Sequence, residues 1–166
     1  MQIKTLQIMI YKYHTEHLLP VTLEQAWEFF SSAKNLALIT PPEMEFKILT
    51  QLEEKEIYEG LMIDYTVKPI LGIPLHWQTE ITKVNKPTSF SDKQAKGPYK
   101  IWDHTHTFIQ KENGILMQDD IKYQLPLGIL GQLAHALFVG KKVREIFQYR
   151  EKALNNIFGV KELNKL

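Results

Sequence analysis

A chain of 166 residues is most simply one domain spanning 1–166, and at that length it can bury about 70% of its unfolded surface. Its composition (44% hydrophobic, 23% charged) is that of an ordinary globular protein, and a net charge of +1 gives no bulk pull toward nucleic acid. The absence of cysteine excludes disulfides, thiolate metal sites and a cysteine nucleophile, and it suits a reducing cytoplasm.

The chain opens on MQIKTLQIMIYKYH, which alternates polar and apolar residues and has no signal-peptide core. Nowhere is there a run of roughly 18 apolar residues, so no membrane span is expected. Residues 6–18 read as a strand rich in β-branched and aromatic side chains, ended by Pro20. Thr22-Leu-Glu-Gln25 has the spacing of a capping box, and Ala26, Trp27, Phe29 and Phe30 give the helix behind it an apolar side. SSAKNLALIT carries a second short helix, which Pro41-Pro42 stops. Strands are predicted over 46–52, 60–68, 75–84 and 90–95, then over 100–111 and 115–125 on either side of Asn113-Gly114.

After Pro126 and Gly128 the pattern changes. Residues 129–158 have helical periodicity, with Leu130, Leu133, Leu137, Val143, Ile146, Phe147, Leu154 and Phe158 forming a stripe. Gly140 bends this helix or divides it. The charges at Lys141-Lys142 and from Lys161 to Lys165 read as solvated surface. One strand, two short helices, six hairpin-linked strands and a long terminal helix make an α+β architecture: an antiparallel sheet with one face wet and one covered by the helix.

The hairpin orients the most unusual stretch, IWDHTHTF at 101–108. With Asn-Gly as a two-residue turn and Glu112 opposite Ile115, His104 lies opposite Tyr123, His106 opposite Ile121 and Phe108 opposite Asp119. One face then carries Trp102, His104, His106, Phe108, Met117, Asp119, Ile121 and Tyr123, and Asp103 and Asp120 point to solvent. Through the turn at Lys96-Gly97-Pro98-Tyr99, Asp92 falls beside His104 and Phe90 beside His106. A slip of one residue would reverse the whole face.

Three segments carry a family resemblance: LPVTLEQAWEFFSSAKNLALITPPEMEF, GPYKIWDHTHTF, and YQLPLGILGQLAHALFVGKKVREIFQYR after the Asn-Gly hairpin. Together they resemble the ligand-binding SRPBCC proteins of the START, Bet v 1-like and polyketide cyclase superfamily, over about residues 8 to 158. The resemblance implies a helix-grip fold: a curved seven-stranded antiparallel sheet around a long C-terminal helix, with a cavity between them. Some similar modules are attached to nucleotide-sugar epimerase-like proteins. Polyketide cyclases of the superfamily use polar groups in the pocket to guide aldol or dehydration chemistry.

Three chemistries compete for the histidine pair. A metal would need a third ligand, which only Asp92 or Asp119 supplies, because His14, His17, His76 and His135 lie on other elements. The same carboxylates are natural partners for the ring N–H groups, so the expected reading is polar anchors with no metal and no cofactor. An acid/base pair drawn from His104, His106 and Asp119 is the enzymatic alternative, cyclase- or dehydratase-like. A protein-interaction module with a vestigial cavity is the third. The leading expectation is a cavity for a small, largely hydrophobic ligand, with no nucleic acid and no membrane span. Trp102, His104, His106, Phe108, Asp119 and Tyr123 line one wall in this reading, and Trp77, Phe90 and Asp92 contribute from neighbouring strands. Arg150 falls on the helix stripe: its head either snorkels to water or enters the pocket and pairs with Asp92 or Asp119.

Overall fold

The computed structural model describes residues 9–52, 56–69 and 72–159. Residues 6–8 of the first predicted strand, and Lys161 to Lys165, lie outside the described residues. The first strand, β1, is Tyr11–Leu19, and Thr22 caps helix α1 (Leu23–Phe30). The capping box is complete: Thr22 Oγ1 accepts from Gln25 N at 3.2 Å, and Gln25 Oε1 accepts from Thr22 N at 2.9 Å. Two short 3₁₀ segments follow, Ala33–Ile39 and Pro42–Met44.

Six strands complete the sheet: β2 (Lys47–Ile48), β3 (Met62–Val67), β4 (Leu75–Asn85), β5 (Ser89–Lys96), β6 (Ile101–Lys111) and β7 (Gly114–Gln124). They form one antiparallel sheet in the order β1-β7-β6-β5-β4-β3-β2. The predicted strand 46–52 shrinks to two residues: Leu49 N–H still reaches Asp64 O in register, but Thr50 N–H turns to the same oxygen and the ladder stops.

The β6–β7 hairpin is shifted from its predicted register. Lys111 pairs with Gly114, so the turn residues are Glu112 and Asn113, and His104 faces Ile121, His106 faces Asp119 and Phe108 faces Met117. A two-residue type I′ turn on Asn113-Gly114 needs positive φ at both residues, yet of the two only Gly114 adopts it, at 132°. That glycine instead opens β7 against β1, where a Cβ would meet Leu19 O at 2.1 Å. Because the slip is two residues, the inner and outer faces are unchanged. Asp103 and Asp120 are exposed, and the β5–β6 pairing is as expected, with Asp92 opposite His104 and Phe90 opposite His106.

The terminal helical run comprises α2 (Ile129–Ala134), a π turn over His135–Val139 and α3 (Gly140–Phe158). Across α3 the inward face is Val143, Phe147, Arg150 and Leu154. The predicted stripe is wrong for its first half: Leu130, Leu133 and Leu137 are exposed. The inner side of this half carries Gly131, Ala134, His135 and Val139 instead; a Cβ on Gly131 would meet Pro126 O at 2.1 Å. Gly140 stands where the π turn gives way to α3. It leaves room for the His135 ring, 2.8 Å from where its Cβ would stand, and that ring bonds Tyr123 OH at 2.8 Å.

Two packed clusters result. The larger joins α1, the inner faces of β3 to β7 and Leu154; the smaller joins Ile121, Tyr123, Val139, Val143 and Phe147. Among the described residues no helix is long and apolar enough to cross a membrane.

Candidate functional site

Strand alternation places His104 and His106 on the inner face of β6. Asp92 faces them from β5, Asp119 from β7 and Arg150 from α3. The result is a ring of ionisable groups. His104 Nε2 lies 2.9 Å from Asp119 Oδ1 in a hydrogen bond. His106 Nδ1 lies 2.7 Å from the same oxygen but off the N–H direction, so that contact is chiefly electrostatic. The opposite ring nitrogens turn to Asp92 Oδ2, at 3.8 Å from His104 Nδ1 and 3.6 Å from His106 Nε2. Arg150 Nη1 stands 3.9 Å from Asp119 Oδ1, and its guanidinium lies 4.6 Å from the Phe147 ring centre.

Burial and the neighbouring charges compete at each of these groups. Burial opposes the charge of Asp119, but the two imidazoles outweigh it and hold the carboxyl well below the usual range. Burial also disfavours a charge on His106, and there Asp119 and Asp92 win, so this imidazole is raised above 6.5. For His104, burial together with the charge of His106 outweighs Asp119, and it is lowered. The pair therefore holds one proton readily and a second reluctantly.

Among the described residues, Asp92, His104 and His106 are the set that could hold a metal ion, with their ligating atoms within 4.8 Å of one another. Each ring's other nitrogen meets Asp119, the outer-shell partner that ligating histidines usually have. The imidazoles are already engaged by Asp119, and Arg150 stands beside that carboxylate.

A cavity of about 250 Å³ lies between sheet and helix, walled by residues from α1, the 3₁₀ segments, β3 to β6 and α3. Of the expected site residues, Trp77, Phe90, Asp92, Trp102, His104, His106 and Arg150 line it. Phe108, Asp119 and Tyr123 do not. Phe108 packs 5.3 Å from Phe30 and 6.4 Å from Trp27, filling the core beside the cavity. Asp119 sits behind the imidazoles, and Tyr123 belongs to the smaller cluster with His135. Arg150 does not snorkel to water; it is 8% exposed and lines the cavity.

The sequence reading missed Tyr65, Thr79 and Tyr99, which line the cavity too. Tyr65 OH and Thr79 Oγ1 are hydrogen-bonded at 3.1 Å, and Trp77 stacks on Tyr65 with centroids 6.0 Å apart. Alternation in β3 and β4 carried the signal for the first two: Tyr65 pairs with Trp77, and Thr79 lies two residues beyond it on the same face.

No family model and no curated protein matches the chain. Solved structures do. Protein CV1439 from Chromobacterium violaceum is similar at a TM-score of 0.67 and 13% identity, covering 90% of this chain and 98% of that one. The major latex-like protein 151 of Panax ginseng is similar at 0.63 and 12% identity, covering 90% of this chain and 97% of that one. A nucleoside-diphosphate sugar epimerase from Corynebacterium glutamicum is similar at 0.59 and 20% identity over 87% of this chain, but only over 28% of its own length. Sheet order, the short helices after β1, the long terminal helix and these likenesses agree: the chain has the helix-grip fold of the Bet v 1-like proteins.

Proposed function

We propose that the protein binds a small, largely apolar molecule in the cavity between sheet and α3. The observation that carries this reading is the character of the lining. Aromatic and aliphatic side chains from most elements surround the space, and Asp92, His104, His106 and Arg150 form a cluster of ionisable groups in its wall. Ligand sites are commonly built this way, with an apolar body and a few polar groups that set orientation. In this reading Trp77, Phe90 and Trp102 contact the body of the ligand, and His104, His106 and Asp92 orient it. Asp119 acts through the imidazoles rather than by contact.

The three tryptophans provide an internal test. Trp77 and Trp102 line the cavity, whereas Trp27 lies outside its lining and donates Nε1–H to Glu56 Oε2 at 3.2 Å. Titration with the neutral fluorophore N-phenyl-1-naphthylamine should saturate and should move the indole N–H resonances of Trp77 and Trp102 while leaving Trp27 in place. No saturable binding, or binding that shifts none of the three, would sink the reading.

No cofactor is part of the proposal. Elemental analysis of untagged protein should find zinc, iron and manganese at background, because the imidazoles and carboxylates already partner one another. About one equivalent of a metal, lost on His104→Ala and on His106→Ala alike, would overturn this and make the ring a metal centre.

A second reading is cyclase- or dehydratase-like catalysis in the same cavity. A lowered and a raised imidazole stand side by side on its wall, their centroids 3.9 Å apart, which suits a base beside an acid.

A further inference from the structure

Arg150 is the cation of the ring with donors to spare. The side chain is 8% exposed and lines the cavity, yet Nε and Nη1 have no hydrogen-bond partner among the described residues. Its nearest carboxylate oxygen, Asp119 Oδ1, is 3.9 Å away, beyond hydrogen-bond reach, and is already shared by His104 and His106 at 2.9 and 2.7 Å. Asp92, the other anion nearby, faces the imidazoles at 3.6 and 3.8 Å. A guanidinium is a planar fork of donors that matches an oxyanion, and leaving it buried without an acceptor is costly. A second cation, Lys142, also lines the cavity; its own partners, Glu43 and Glu145, are at 3.7 and 3.9 Å and lie outside the lining.

We infer that the cavity takes an apolar molecule bearing one anionic oxygen head group, and that Arg150 receives that head group. The inference rests on the binding reading above and adds the chemical class of the ligand. The guanidinium of Arg150 lies over the Phe147 ring, so the charge is presented from an apolar wall, where water competes poorly for the head group. The body of the ligand then extends away from the ring toward Tyr65, Trp77 and Trp102.

A matched pair of probes tests this. The anion 8-anilinonaphthalene-1-sulfonate and the neutral N-phenyl-1-naphthylamine share one ring skeleton and differ by the sulfonate. The wild-type protein should bind the anion more tightly by about tenfold to a hundredfold, the range for a hydrogen bond to a charged group. Arg150→Met keeps an apolar stem and should remove that preference by weakening the anion alone, whereas Arg150→Lys should keep part of it. Should Arg150→Met fail to fold, displacement of N-phenyl-1-naphthylamine from the wild type by decanoate and by 1-decanol gives the same comparison, with decanoate expected to win. Equal affinity for the anion and its neutral counterpart, or equal weakening of both in Arg150→Met, overturns the anion site and leaves the binding reading standing. Failure of every probe to bind overturns both.

Discussion

Asp119→Ala should destabilise the protein by about 3–5 kcal/mol at about pH 6, the cost of taking one partner from a buried charge cluster. Asp119 is 4% exposed, and one of its oxygens holds both imidazoles and lies nearest to Arg150. Its removal leaves a buried guanidinium and a protonated His106 facing only Asp92. The penalty depends on pH, with a definite sign. His106 is raised, so stability from its protonated form is fully present below 6.5 and is lost as pH rises through the folded value. Asp119 is lowered, so its contribution is present above 3.8 and is lost as pH falls through the folded value. The gap between wild type and variant should therefore be widest between those limits and narrow on both sides. Urea unfolding across that range checks it; a penalty independent of pH would mean that Asp119 acts by packing rather than by charge.

The second large effect concerns the helix. Leu154→Ala should cost about 2–5 kcal/mol, the range for emptying a fully buried leucine site. Leu154 is 2% exposed and belongs to the larger core cluster. Leu137→Ala, in the same helical run but 69% exposed, should change stability by no more than about 0.5 kcal/mol. The contrast can be read from urea midpoints with the slope unchanged. Equal costs at the two positions would mean that the run packs on the sheet along its whole length, as its periodicity alone suggests.

Those two leucines mark where periodicity stops being informative. A spacing of three and four residues says that side chains share a face, but it does not say which face the sheet covers. From Val143 to Leu154 the face named by spacing and the covered face coincide. From Leu130 to Leu137 they do not: Gly131, Ala134 and His135 take the inner side, and the π turn changes the phase before α3.

Strand parity travelled better. The β6–β7 register differs from the expected one by two residues, and His104 and His106 still face inward, since a period of two is insensitive to an even slip. Gly114 caused the error: its turn-like residue type reflects close approach to the Leu19 carbonyl as well as the turn.

The amino-acid sequence by itself determined the order of elements, the capping box at Thr22, the inward face of IWDHTHTF and the meeting of Asp92 with His104. These are local regularities, or pairings between neighbouring strands, and short-range geometry dictates them. Only the tertiary structure decided that Arg150 turns into the cavity, that Asp119 stands behind the imidazoles, and that Phe108 and Tyr123 belong to the core around the site. Each of those outcomes depends on how α1 and α3 seat on the sheet. Seating is set by packing between residues distant in the chain, which no spacing within one element records.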